Sequence, residues 1–162
     1  MEITFTHRFA APVDEVWAMM HDPESHVAKF TRMGHTDLEV LAQEVTDTSL
    51  DLTLRRQVEM EIPSIASKFL SPKNTVTSTD HWERAADGSC SGHFEVDIKG
   101  APAESRGTTK LVADGDGTAY TVTLDVKVKV PLVGDKVAKA LKPQLERQMQ
   151  EEFEAAEAWL AG

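Results

Sequence analysis

Two ionisable side chains lie on otherwise apolar strand faces, and they are the first candidates for chemistry. Residues 49–58 alternate, which places Arg56 on the same face as three leucines. A buried guanidinium costs several kcal/mol unless it is paired. Arg56 therefore needs a carboxylate such as Asp80, the anionic head of a ligand, or a position in water at the rim of its strand.

The second candidate is His7, whose register with Ile3, Phe5 and Phe9 turns it toward the interior. A histidine there is either a core side chain with satisfied hydrogen bonds or a hydrogen-bond donor inside a pocket. The sequence leaves both interpretations open.

Other patterns that carry chemistry are weak. The six histidines form no i, i+4 pair on a predicted helix and no zinc-type spacing with Cys90, so we expect no metal site and no cofactor. The segment DGDG at 114–117 resembles the start of a calcium loop, but no glutamate follows at the twelfth loop position, and a hairpin turn explains it. Neither a nucleophile elbow nor a glycine-rich phosphate loop is present.

Composition restricts the class of protein. The chain has 162 residues, 27% of them charged, and a formal net charge of −10, which disfavours broad binding to nucleic acid or anionic lipid surfaces. We see no signal peptide and no apolar stretch long enough to span a membrane. A single cysteine excludes an internal disulfide and fits a reducing compartment. We therefore expect one cytoplasmic domain over residues 1–162.

Hydrophobic periodicity predicts the elements that position these side chains. Two short helices, beginning at Pro12 and at Asp22-Pro23, follow the first strand. Because one face of the last strand is polar and the other apolar, the sheet should be antiparallel. Strands are predicted at 2–9, 35–45, 49–58, 74–84, 90–98, 104–113 and 118–130.

Residues 134–160 predict a long C-terminal helix, in which Pro143 is expected to cause a kink. Its apolar stripe should face the same interior as Trp82 and Phe94 on the strands. The stripe includes Val137, Leu141, Leu145 and Met149.

Several segments together resemble the START-like (SRPBCC) helix-grip superfamily, which includes the birch pollen allergens and polyketide cyclases. The opening FTHRFAAPVDEVW at 5–17 and the Asp22-Pro23 step are similar to its common start. The ending VKVKVPLVG at 126–134 and Lys68-Phe69-Leu70 resemble an uncharacterised actinobacterial branch, a domain of unknown function. The resemblance implies an α+β fold, in which a curved antiparallel sheet of about seven strands surrounds the C-terminal helix and encloses a cavity.

In that fold, core and cavity wall are one surface, so the function favoured is binding or carriage of an apolar small molecule, lipid- or polyketide-like. A cavity of several hundred Å³ is expected, as for drug-sized ligands. The candidate ligand-binding residues are His7, Arg56, Trp82, Phe94, Val137, Leu141, Leu145 and Met149.

Two alternatives stay open. A cyclase- or dehydratase-like enzyme on a polyketide-type substrate needs a titratable pair inside the cavity, for which His7 with Asp80 or Arg56 is the candidate. A protein-interaction module, similar to the chaperone-activator branch, needs a filled core and an exposed apolar patch. Because no convincing catalytic apparatus is present, the sequence favours binding over catalysis.

One segment departs from strand alternation. After Pro63, apolar residues recur at helical spacing, which predicts a short amphipathic helix at 63–70. It is interpreted either as a lid over the mouth of the pocket or as a fixed plug. The lid residues are Ile62, Ile65, Phe69 and Leu70.

Overall fold

The chain folds as one strand, two short helices, six further strands and a long final helix, in a computed structural model that describes residues 1–162. None of the helices is both long and apolar enough to cross a bilayer. The elements are β1 Glu2–Phe9, α1 Val13–His21, α2 Pro23–Arg32, β2 Thr36–Thr46, β3 Ser49–Glu59, β4 Lys73–Arg84, β5 Cys90–Ile98, β6 Ala103–Asp114, β7 Gly117–Val128 and α3 Gly134–Ala161.

The seven strands form one antiparallel sheet in the order β1-β7-β6-β5-β4-β3-β2. The first strand thus returns beside the last, and β1 and β2 are the sheet edges. The helix α3 packs against β7 on the inner face and contacts both α1 and α2. This confirms the α+β helix-grip architecture that the sequence predicts.

The short helices begin where local chemistry favours a helix start. The Pro12 carbonyl accepts hydrogen bonds from the amides of Glu15 (3.0 Å) and Val16 (3.2 Å). The Asp22 carboxylate accepts one from the Glu24 amide at 3.0 Å, which satisfies a free donor at the start of α2. Between these two start points, α1 buries Val16 completely.

The apolar interior has two parts. The larger cluster joins the strands to α1, α2 and the second half of α3, with Phe9, Leu54 and Phe153 among its buried members. A smaller cluster joins the first half of α3, through Val137, to the segment between β3 and β4. Burial of each large apolar side chain in these clusters contributes about 1.5–3 kcal/mol to the free energy of folding.

That segment differs from the amphipathic helix expected at 63–70. It contains a single 3-10 turn, Ser64–Ala66, and Ile65 is 43% exposed. The Ser67 hydroxyl donates to the Ser64 carbonyl at 2.8 Å, a local bond that competes with helix formation. Only Ala66 and Leu70 are fully buried, because so short a run cannot present a continuous stripe.

Glycines on the inner face make room for aromatic rings. Trp82 lies opposite Gly92 across β4 and β5, and Phe94 lies opposite Gly107 across β5 and β6. A Cβ atom at Gly107 would come within 2.6 Å of Cζ of Phe94 and would also clash with the Thr123 carbonyl. The missing side chain is therefore what allows the Phe94 ring to lie over the sheet.

Replacing Gly107 by alanine should therefore destabilise the fold. We expect G107A to lower the free energy of unfolding by about 1–3 kcal/mol, because the added methyl group overpacks the space between the Thr123 carbonyl and the Phe94 ring. The neighbouring exposed Thr108 is the matched control, and T108A should cost less than about 1 kcal/mol. Urea titrations of the two variants measure this, and equal losses would contradict the role of Gly107.

Candidate functional site

A cavity of about 180 Å³ lies between the inner face of β3–β7, the two short helices and the second half of α3. Most of its lining side chains are apolar, and the polar ones gather mainly where α2, β3 and β4 meet α3. The volume is smaller than the several hundred Å³ expected from the sequence.

The sequence-predicted residues divide into two groups. Five of them surround the cavity: Arg56, Trp82, Phe94, Leu145 and Met149. The others lie elsewhere. Val137 and Leu141 belong to the smaller cluster around Ala66 and Leu70, because the first half of α3 extends beyond the cavity.

His7 lies on the inner face of β1 but outside the cavity lining. Its ring stacks on Phe153 with centroids 4.8 Å apart, and its Nε2 lies 2.8 Å from Oε1 of Glu157. These contacts satisfy the imidazole beside the end of α3. His7 therefore forms no pair with Asp80 or Arg56.

The lid candidates lie beside the cavity rather than in its wall. Ile62, Phe69 and Leu70 belong to the smaller cluster, while Ile65 faces solvent. The nearest wall residue on that segment is Met60.

Arg56 is the most unusual residue of the wall. It is only 5% exposed, yet no carboxylate lies within ion-pair distance of its guanidinium. Its Nε donates to Nδ1 of His35 at 3.1 Å and its Nη1 donates to Oγ of Ser78 at 2.9 Å. Its Cζ lies 3.7 Å from the centroid of the Phe30 ring, a cation–π contact. All three partners are uncharged.

No periodicity or motif in the sequence marks His35 as a site residue. The tertiary fold places it beside Arg56. Burial, followed by the nearby charge of Arg56, lowers the pKa of His35 from 6.5 to about 4. The ring is thus neutral at pH 7, and because Nδ1 accepts from Arg56, the proton resides on Nε2. It stacks on Phe30 with centroids 5.3 Å apart.

A second cation reaches the same end of the cavity. Lys29 on α2 places its Nζ 3.2 Å from Oε2 of Glu152 on α3 and 4.5 Å from the centroid of the Phe30 ring. Lys29 and Glu152 therefore balance each other's charge. With His35 neutral, Arg56 has no direct ion-pair partner; burial lowers its pKa, and the charges of Glu152 and Asp80 offset that effect only in part.

The remaining titratable groups of the wall that shift do so away from neutral pH. Burial raises the pKa of Tyr120 far above its ordinary range, with Glu152 and Asp80 adding to the effect. Burial, then Lys29, lowers the pKa of His26, whose Nε2 lies 2.8 Å from the Met20 carbonyl oxygen. Both stay uncharged at pH 7. Neither is tuned to exchange a proton there, as a general acid or base must be.

The chain is similar to a family of proteins of unknown function. A family model described as "Protein of unknown function (DUF2505)" matches residues 4–160. No curated protein matches the sequence.

Solved structures match the fold across nearly the whole chain. TTHA0849 from Thermus thermophilus has a TM-score of 0.66 at 16% identity, covering 99% of this chain and 97% of its own. The Zhui aromatase/cyclase from Streptomyces sp. R1128 has 0.64 at 19%, covering 99% and 93%. Human STARD10 has 0.62 at 13%, covering 96% of this chain and 62% of its own. The similarity to START-like proteins is thereby confirmed at the level of fold.

The depressed pKa of His35 predicts a pH-dependent stability. Unfolded His35 takes up a proton near pH 6.5, whereas the folded residue resists protonation until about pH 4. The stabilisation is therefore complete above pH 6.5 and is lost as pH falls toward 4.

The variant H35N removes this titration while offering Arg56 an oxygen acceptor. We expect the stability difference between wild type and H35N to shrink by about 1–2 kcal/mol from pH 7 to pH 4, after allowance for the partial exposure of His35. His26 is present in both proteins, so its contribution cancels. Urea titrations across this range measure the difference, and a constant gap would refute the assignment.

Proposed function

We propose that this chain, which belongs to the DUF2505 family of proteins of unknown function, binds a small apolar molecule in the cavity beside α3. The observation that carries the proposal is the cavity itself, which has mainly apolar walls and a few convergent polar groups at one end. Ligand sites in proteins have this composition. The fold shared with START-like proteins is compatible with such a role.

The cavity volume limits the size of the ligand. An apolar cavity of about 150 Å³ holds one benzene molecule, so 180 Å³ fits a single ring or a short branched chain without rearrangement. A lipid- or polyketide-sized molecule requires the walls to move.

The walls carry side chains that can change shape. Five of the six methionines of the chain line the cavity: Met19, Met20, Met33, Met60 and Met149. Methionine has an unbranched, polarizable side chain that adapts to differently shaped partners. The site therefore combines a small resting volume with flexible surroundings, which supports binding of more than one apolar shape.

The competing functions have less support. Catalysis requires a group tuned to exchange protons near neutral pH, whereas the shifts at His26, His35 and Tyr120 move away from it. A protein-interaction module of the kind considered requires a filled core, and the interior contains a cavity.

The segment between β3 and β4 is the proposed entrance. Its own hydrogen bonds are local turns, such as Ala66 amide to Pro63 carbonyl at 2.8 Å and Leu70 amide to Ala66 carbonyl at 3.0 Å. Opening it separates Ala66 and Leu70 from Val137 of α3 but breaks no strand pairing, so it costs less than opening the sheet. Met60, at its start, lines the cavity.

Toluene is a suitable probe because it matches the cavity in size and carries no charge. At ten times its Kd, a ligand stabilises a protein by about 1.4 kcal/mol, so toluene should raise Tm by about 3–6 °C. In the variant A156L, the added side chain fills part of the cavity, and the shift should fall by more than half.

The matched control is A158L, the same change on the same helix at a residue that does not line the cavity. This variant should keep the wild-type shift. Binding to wild type that A156L leaves unchanged would show that toluene binds outside the cavity.

The entrance predicts a pattern of hydrogen exchange. Without ligand, amides of residues 63–70 should exchange faster than those of β3 and β4, and saturating toluene should slow them at least about threefold. Hydrogen exchange followed by mass spectrometry measures both states. Equal exchange with and without bound toluene would make the segment a fixed plug.

A further inference from the structure

We infer that the ligand is an apolar monocarboxylate, whose carboxylate group binds Arg56 at the polar end of the cavity. The inference rests on the proposed function, since it names the chemical class of the molecule that the cavity takes. It depends on four features of the site: burial, a free donor, the local charge balance and the net charge of the chain.

The first feature is a buried cation without a counterion. Arg56 is 5% exposed, and its guanidinium forms hydrogen bonds to a neutral imidazole and a hydroxyl and a cation–π contact to an aromatic ring. Taking a charge out of water costs several kcal/mol, which neutral partners offset in part. An anion entering the cavity would complete the compensation.

The second feature is hydrogen-bonding capacity that the protein leaves unused. Nε and Nη1 of Arg56 bind His35 and Ser78, while Nη2 makes no hydrogen bond. Nε2 of His35, which carries the ring proton, likewise has no hydrogen-bond partner. One guanidinium NH2 and one imidazole N–H correspond in number to the two oxygens of a carboxylate.

The third feature is the charge balance along the wall. Lys29 is paired with Glu152, which leaves Arg56 and Asp80 as the two charged groups of the wall without an ion-pair partner. The other carboxylate of the wall, Asp80, lies opposite Leu52, whereas Arg56 lies opposite Val76. The Arg56 side chain reaches Ser78, which lies two residues or about 7 Å along β4 from Asp80, so the Asp80 charge favours the charged form of Arg56 without an ion pair.

Asp80 is half-buried and makes no ion pair, so the alternative to an anionic ligand at Arg56 is a ligand whose cationic head group binds Asp80. The burial of the two groups decides between them. Arg56 is far more enclosed than Asp80, and the enclosed charge has the greater need of a partner. A cationic ligand is therefore an outcome that the experiment must exclude.

The fourth feature makes the experiment specific. The chain has a net charge of −10, so the protein as a whole repels anions. A preference for an anionic ligand must come from a local site. Non-specific binding would favour neutral or cationic molecules instead.

The experiment compares four probes that share one ring: toluene, benzamide, benzoate and benzylammonium. Calorimetric titration at pH 7 gives their affinities for the wild-type protein. We expect benzoate to bind about 10- to 100-fold more tightly than benzamide, the gain typical of charge-assisted hydrogen bonds. This comparison uses wild type alone and therefore holds even if a variant fails to fold.

The variant R56M keeps the length of the side chain and removes its charge, and it should abolish the preference for benzoate while toluene still binds. The matched control is R55M, at the neighbouring residue on the opposite face of β3, where Arg55 pairs with Glu39 at 2.6 Å. R55M should keep the preference.

The outcomes separate the two proposals. If none of the four probes binds in the cavity, the proposed function fails and the inference fails with it. If toluene binds but benzoate is no tighter than benzamide, the cavity is a ligand site and Arg56 is structural. If benzylammonium binds most tightly, the head group of the ligand is cationic and binds Asp80. If R56M still prefers benzoate, the carboxylate binds away from Arg56. Either result overturns the inference.

Discussion

The geometry of covering seven strands with one helix determines the rest of the structure. Six spacings of about 4.8 Å make a sheet about 29 Å wide, whereas a helix with its side chains is about 10–12 Å across. The sheet therefore has to curve around α3, and α1 and α2 have to cover part of what α3 leaves. Glycine opposite an aromatic ring, at Gly92 with Trp82 and Gly107 with Phe94, admits large side chains on the concave face. The space that remains is the cavity.

The cavity lowers the stability of the fold, and burial of the Arg56 charge beside it lowers the stability further. An interior optimised for stability would place an apolar residue there, since replacing buried charges by apolar side chains is often neutral or stabilising. Instead, Phe30, His35 and Ser78 hold the guanidinium in one orientation. An enclosed cation whose direct contacts are uncharged costs stability in a packed core, and the proposed binding role is one reason to keep it.

Much of the fold was predictable from the sequence because local periodicity encodes it. Alternation with a period of two predicts the strand Cys90–Ile98, and an apolar stripe predicts the long final helix. N-cap chemistry predicts the start of α2 at Asp22. The site was less predictable. One stripe on α3 faces two separate clusters, so Val137 and Leu141 cannot be distinguished from Leu145 by spacing. His35 reaches Arg56 only through the tertiary fold, and the serines of 63–70 override an apparent helical pattern.

The polar and the methionine residues of the cavity wall differ in how rigidly the backbone holds them. This difference affects which molecules the wall can distinguish. Arg56 and Ser78 project from adjacent strands whose register the sheet hydrogen bonds fix. The methionines lie on the helices or beside a strand end, where side chains can repack without breaking the ladder. A rigid polar end discriminates strictly, because an unpaired buried group is costly, whereas an adaptable apolar end discriminates weakly by shape. A ligand bound as we propose would therefore be selected by its head group more than by the shape of its body.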